Sequence, residues 1–222
     1  MVIFSHELGN SHTSGIPYAE RLAAAGYAVY TFDFCGGTVG SGNRSDGTNL
    51  DMTVLTEVAD LEAVLASAKT WDFVDPERIA LLGGSQGGLV SALTGCRNQN
   101  EIAGLILMYP ALCAPGDVRA EFPSVDDIPD TYGMFGGWIH VSKQYALDAW
   151  DIDPYAEMAD YAGHVLLMHG DRDYTVDISY SERAAEVLPD CEYVVIPGGG
   201  HEFYGQPFEE AVKHILDYLT NI

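Results

Sequence analysis

The stretch Arg78-Ile79-Ala80-Leu81-Leu82-Gly83-Gly84-Ser85-Gln86-Gly87-Gly88-Leu89-Val90 decides the fold. Arg78 to Leu82 is a short apolar run, which reads as a buried parallel strand. Gly83, Ser85 and Gly87 spell G-x-S-x-G. From Gly87 to about Gly95 the residues are small or apolar, as in a helix packed on a sheet. A serine on a sharp strand-to-helix turn is lifted out of the chain, and the helix N-terminus behind it favours negative charge. Flanking glycines are expected because a Cβ on either side would clash in so tight a bend.

Outward from this stretch, apolar strands alternate with helical patterns. Strands are expected at 2–5, 27–32, 78–83, 103–109, 164–169 and 192–196. Helical spacing runs from Pro17 to Gly26, from Thr53 to Lys69, from Ser179 to Leu188 and from Phe208 to Leu219. This alternation implies one α/β domain over residues 1–222, with a mostly parallel sheet of about six strands and helices on both faces. Residues 35–49 are Gly-, Ser- and Asn-rich and read as a loop. Residues 111–153 break the rhythm and are too long for an ordinary connection. They read as an inserted cap with one or two helices, one of them near 141–149.

The chain has 222 residues, enough for a sizeable core. Its net charge is −23, from 33 acidic and 10 basic residues, which opposes binding to nucleic acid or anionic lipid. A neutral or hydrophobic small molecule fits better. No run approaches the ~18–20 apolar residues of a membrane span. The first residues lack a signal-peptide pattern, so the chain reads as cytoplasmic. Cys35, Cys96, Cys113 and Cys191 show no C-x-x-C and read as reduced, mostly buried thiols. No histidine pair has metal-ligand spacing, so neither a metal nor another cofactor is expected.

Three reactive side chains fall just past strand ends, where sites form in parallel sheets. Ser85 follows the central strand, Asp173 follows the 164–169 strand, and His201 follows the 192–196 strand. A serine hydroxyl needs a base to take its proton, and the base needs a carboxylate to set its tautomer. Asp171 and Asp177 are alternatives for the acid, and capping or surface roles compete for Asp173. His169 is read as packing or hydrogen-bonding within its strand end, His6 and His12 as loop-shaping or touching substrate, and His140, His164 and His214 as structural or surface residues.

With these residues in place, the chain resembles an α/β-hydrolase over nearly its whole length. Phe4-Ser5-His6-Glu7-Leu8-Gly9 is similar to the family's His-Gly loop. Phe32-Asp33-Phe34 is similar to its Asp-containing loop. Gly83 to Gly88 matches the nucleophile elbow, His169-Gly170-Asp171-Arg172-Asp173 the acid segment, and Gly200-His201 the base. The resemblance implies a triad of Ser85, Asp173 and His201, with the backbone amides of Leu8 and Gln86 forming the oxyanion hole. G-x-S-Q-G-G and Asp127-Ile128-Pro129-Asp130 in the cap look most like intracellular feruloyl and cinnamoyl esterases. That similarity implies a serine carboxylic-ester hydrolase acting on small to medium esters. A peptidase or thioesterase of the same fold, or a non-catalytic binding protein on this scaffold, is the alternative.

Glu7 departs from the family, which keeps glycine there. A carboxylate aimed at the hole would oppose an oxyanion, so Glu7 is expected to point away. The chain also begins at the equivalent of the family's third strand. Strand 27–32 then becomes an uncovered edge, implying either another natural start than Met1 or a partner chain, such as a second copy in a homodimer. Cap aromatics Phe122, Tyr132, Phe135, Trp138, Tyr145 and Trp150 are expected to bury the cap or line an acyl pocket. Asp126, Asp127, Tyr132 and Gln144 are the candidate contacts for a polar end of an aromatic acyl group.

Overall fold

The structure is a computed structural model that describes residues 1–40 and 44–222. The 35–49 loop expectation therefore falls partly, at residues 41–43, outside the described residues. The sheet opens with β1 (Val2–Ser5), β2 (Val29–Thr31), β3 (Ala80–Gly84) and β4 (Gly104–Met108). An antiparallel hairpin follows, made of β5 (Thr131–Met134) and β6 (Ile139–Ser142). Then β7 (Val165–Gly170) and β8 (Cys191–Ile196) complete a six-stranded sheet in the order β2-β1-β3-β4-β7-β8. Every pair in that sheet is parallel.

Side-chain alternation along these strands splits the core in two. Leu81, Leu105, Leu107, Val165 and Leu167 face one side and Ala80, Leu82, Ile106, Met108, Leu166 and Met168 the other. The first side is covered by α2 (Val54–Ala68), α3 (Ser85–Arg97) and α7 (Ser179–Val187). The second is covered by α1 (Ile16–Ala24) and α8 (Gln206–Thr220). With both faces covered, the central strands are apolar at successive positions, which is why they read as continuous runs rather than alternating ones.

Local chemistry sets the helix starts. Pro17 sits in the first turn of α1, where its missing N–H costs nothing. At α2, Thr53 Oγ1 accepts from the Thr56 amide while Thr56 Oγ1 accepts from the Thr53 amide, a reciprocal capping box. The elbow helix begins at Ser85, two residues before the reading from sequence, because the tight turn leads directly into the first helical residue.

The segment between β4 and β7 holds α4 (Ala114–Glu121), the β5–β6 hairpin, α5 (Lys143–Trp150) and α6 (Pro154–Ala159). The sequence suggested helix from 141. Val141 and Ser142 instead close the hairpin, pairing with Tyr132 and Thr131. Strand β2 has three residues rather than six and forms one edge of the sheet. Among the thiols, Cys113 is buried, Cys96 and Cys191 are half-buried and Cys35 is exposed, so the expectation of mostly buried thiols is corrected; all four are free. Among the described residues, no helix is long and apolar enough to cross a membrane.

Candidate active site

The elbow is built by steric necessity. Ser85 has φ of 51°, a left-handed backbone that a non-glycine residue adopts at a cost of roughly 1–3 kcal/mol. A Cβ on Gly83 would run into the carbonyl of Gly87. One on Gly87 would meet the carbonyls of Ser5 and His6 at the end of β1. The two glycines thus let the chain double back against its neighbour strand and hold the serine above the sheet.

Ser85, Asp173 and His201 come together over 116 residues of chain. His201 Nε2 lies 2.8 Å from Ser85 Oγ, and His201 Nδ1 lies 2.8 Å from Asp173 Oδ2. This network fits an imidazole that donates from Nδ1 to the carboxylate and leaves Nε2 to accept from the hydroxyl. Asp171 and Asp177 do different work: Asp171 accepts from the Gly198 amide and Asp177 from the Ser179 amide.

Burial alone would raise the Asp173 carboxyl, but its hydrogen bonds outweigh that and hold it well below the usual carboxylate range. They come from His169, from His201 and from the amides of Val176 and Thr175. His169 is fully buried, with Nε2 shared between the Val176 carbonyl at 3.1 Å and Asp173 Oδ2 at 3.2 Å, and Nδ1 2.7 Å from Ser181 Oγ. Of the two readings, packing or hydrogen-bonding at the strand end, it does both, and its contact with Oδ2 steadies the acid. The H-G-x-x-D spacing, four residues from His169 to Asp173, carried that signal.

Leu8 and Gln86 both border the cleft beside Ser85. The loop bearing Leu8 is pinned by His6, whose Nδ1 donates to the Glu7 carbonyl while Nε2 accepts from the Phe34 amide. His12 takes a similar part, since its Nδ1 lies 2.7 Å from Asp33 Oδ1, which also accepts the His12 amide. The Glu7 carboxyl turns to Tyr109 and Asn10: Oε1 accepts from the Tyr109 hydroxyl at 3.2 Å and Oε2 from Asn10 Nδ2 at 3.1 Å. Burial pushes it above its ordinary value, which favours the uncharged form. These two bonds hold the Glu7 carboxyl on Tyr109 and Asn10, while Ser85 Oγ pairs with His201.

Above the triad lies a cleft of about 580 Å³. Its walls are mostly apolar, with Val118, Phe122, Met134, Trp138 and Val176 facing Ser85 and His201. Tyr132 is the one of the four suggested contacts that lines it. Its hydroxyl is buried, has no hydrogen-bond partner among the described residues, and is pushed up to about 12 by burial and by Glu121. Phe122 packs edge-on against its ring at 5.1 Å. Asp126, Asp127 and Gln144 lie outside the cleft lining. Asp126 and Asp127 sit in an exposed turn, where Asp127 accepts from Ser124, and Gln144 donates to Asp148 on its own helix face. Trp138 rests on Gly9, beside Leu8, so the hairpin touches the loop that bears Leu8 directly. Among the described residues, no group of three or more His, Cys, Asp or Glu side chains is placed to share a metal ion.

Sequence reasoning missed Glu57 and Tyr109 as neighbours of the site, whereas Tyr145, one of the cap aromatics singled out, is buried and borders the cleft. For Glu57 a signal existed: it falls among Val54, Val58, Leu61 and Leu65 on the buried stripe of α2. A carboxyl on an apolar stripe requires a partner inside.

A parallel sheet, a serine elbow on its third strand and an acid and a base at later strand ends define an α/β-hydrolase. The chain belongs to the serine aminopeptidase S33 family (Hydrolase_4), whose model matches residues 1–149. It is 26% identical to the quorum-quenching protein AidA of Acinetobacter baumannii (strain MDR-ZJ06), over 100% of this chain and 86% of that one. Est1E from Butyrivibrio proteoclasticus, solved with ferulic acid bound, superposes with a TM-score of 0.87 at 27% identity, covering 100% of this chain and 89% of that one. A monoacylglycerol lipase from Paleococcus ferrophilus shares the fold at 20% identity and a TM-score of 0.77, covering 99% of this chain and 93% of that one.

Proposed function

We propose that this hydrolase is a serine carboxylic-ester hydrolase that works through an acyl-enzyme on small to medium esters. The observation that carries the reading is the unbroken relay Ser85–His201–Asp173, at 2.8 Å per link, on the floor of an apolar cleft. His201 Nε2 takes the Ser85 proton as Oγ attacks the ester carbonyl carbon. Asp173 holds the imidazole in its tautomer and stabilises the imidazolium. The Leu8 and Gln86 amides receive the oxyanion. Collapse expels the alcohol, which takes the proton from His201, and leaves the acyl group on Ser85. Water then repeats the sequence and frees the acid.

Hydroxycinnamoyl esters are the proposed acyl class. The unpartnered Tyr132 hydroxyl beside a mostly apolar lining supports this, since a ring substituent that hydrogen-bonds would satisfy it. The ferulic acid bound to Est1E, a 27% identical structure, also supports it. The test is hydrolysis of p-nitrophenyl acetate and methyl ferulate by the wild type and by Ser85→Ala, with fluorophosphonate labelling of Ser85. Equal rates for the two proteins would end the reading.

A second reading follows from the carboxyl groups of Asp117, Glu121 and Glu202 around the cleft. They could hold the ammonium of a peptide N-terminus, which would suit an aminopeptidase. Amino-acid p-nitroanilides turned over faster than esters would favour it.

A further inference from the structure

At the elbow, beside the cleft that Gln86 and Tyr145 also line, three buried polar side chains form a hydrogen-bonded line. Glu57 is 1% exposed, Gln86 2% and Tyr145 0%. Gln86 Nε2 donates to Glu57 Oε2 at 2.8 Å, and Gln86 Oε1 accepts from the Tyr145 hydroxyl at 2.6 Å. The amide of Gln86 is thus gripped at both ends, by α2 on one side and α5 on the other. Met52 Sδ also lies 3.6 Å from Gln86 Nε2. Nothing in the proposed chemistry uses the Gln86 side chain, yet removing a carboxyl group, a hydroxyl group and a carboxamide from water is costly unless each is paired.

We propose that Glu57 and Tyr145 are positioning residues for the reaction: by clamping the Gln86 side chain they fix the first turn of α3 and hold the Gln86 backbone amide in line for the developing oxyanion. The inference rests on the esterase reading given above. Ser85 already sits in a strained left-handed backbone, so the turn needs an outside restraint to stay fixed. Gln86 is the next residue, and apart from Ser85, whose hydroxyl faces His201, it carries the turn's side-chain tether, since Gly83, Gly84, Gly87 and Gly88 have none.

The clamp also has a charge state. Burial pushes the Glu57 carboxyl up to about 8, with Asp60 adding to the rise and the Gln86 hydrogen bond opposing it. The other titratable groups around it are Asp60 on its own helix, Tyr145 and Asp148 on α5, and His6 after β1. Burial raises Tyr145 far above its ordinary value and lowers His6, so both stay uncharged near neutrality. Glu57 is then neutral at pH 7. Above about 8 it becomes an anion under the amide that must meet an oxyanion, and the two charges oppose each other.

The experiment measures kcat and KM on p-nitrophenyl acetate across pH 6–10 for wild type, Glu57→Gln, Glu57→Leu, Tyr145→Phe and the Glu57→Leu/Tyr145→Phe pair. Folding is checked by circular dichroism and Ser85→Ala serves as the blank. Glu57→Gln keeps the acceptor without the proton, so it should match wild type at pH 7 and lack the fall in kcat above pH 8. Glu57→Leu should lower kcat by about tenfold or more with KM within about twofold, and Tyr145→Phe by a smaller factor in the same direction. The pair should fall by less than the product of the singles, since both act through Gln86. If Glu57→Leu does not fold, Tyr145→Phe and the pH profile of Glu57→Gln decide.

Folded Glu57→Leu and Tyr145→Phe variants with kcat within about twofold of wild type overturn the proposal. So does an alkaline fall that Glu57→Gln shares with wild type. If wild type shows no turnover above the Ser85→Ala blank, the esterase reading itself fails and the positioning role fails with it. An active wild type with unaffected variants removes the positioning role alone.

Discussion

The elbow and the β5–β6 hairpin face each other across the cleft, and they are specified in opposite ways. At the elbow almost every atom is constrained. Two glycines sit where any Cβ would strike backbone, Ser85 is held at φ 51°, and its neighbour Gln86 is tied on both sides. In the hairpin the glycines Gly136 and Gly137 have no such close neighbours, and Phe135 and Trp138 are more than half exposed. The elbow tolerates one solution and the hairpin many. Chemistry is therefore expected to depend on the elbow and substrate choice on the hairpin.

The sharpest way to break that contrast is Ser85→Ala, which should lower kcat for every ester by about 10⁴-fold or more while leaving the fold intact. Steady-state kinetics on two acyl chains checks it, and a hairpin substitution with an equal effect would erase the distinction. Next comes Gly87→Ala. Its methyl group meets the Ser5 and His6 carbonyls, so activity should fall by about 10²-fold and stability by roughly 1–3 kcal/mol, as for overpacking. Denaturant unfolding and kcat read the two effects, whereas Gly136→Ala, at positive φ but in open space, should leave kcat untouched.

Tyr132→Phe sharpens the other side. It removes a hydroxyl that has no protein partner, so stability should hold or rise slightly. The ratio of kcat/KM for methyl ferulate to that for an unsubstituted cinnamate should drop by about 3–10-fold. An equal change on both substrates would detach the hydroxyl from acyl choice. The smallest effect concerns pH. Asp173 is held low in the folded chain, so its contribution to stability is present above the ordinary carboxylate value and is lost as pH falls towards the folded one. The midpoint of thermal unfolding should therefore drop as pH falls below about 4, and Asp173→Asn should flatten that slope.

The legible part of the molecule follows the same division. Strand β3 and its turn could be read because backbone sterics leave few residues able to make them. The acid and base were placed by strand ends and by H-G-x-x-D, and the geometry brings those two side chains to Ser85. The hairpin was not legible. Thr131–Met134 and Ile139–Ser142 are short, and Gly133, Gly136 and Gly137 hide their alternation. Asp126, Asp127 and Gln144 were drawn from proximity in the chain, but the turn at 125–127 carries the two acids outward and Gln144 pairs with Asp148 one helical turn along. Glu57 could have been found, because α2 has strong apolar spacing and a single carboxyl interrupts it. What could not be read was its partner, since Gln86 and Tyr145 come from 29 and 88 residues away, and only the packing of α2, α3 and α5 brings them into one line.

Trp138 gives the protein an optical handle. The chain has three tryptophans, and this one stands on Gly9 at the lip of the cleft, about half exposed. An indole in that place changes its surroundings when the hairpin lifts or when an aromatic acid fills the space below. The emission of Trp138, isolated by Trp71→Phe and Trp150→Phe, would report occupancy of the cleft in real time with no label attached.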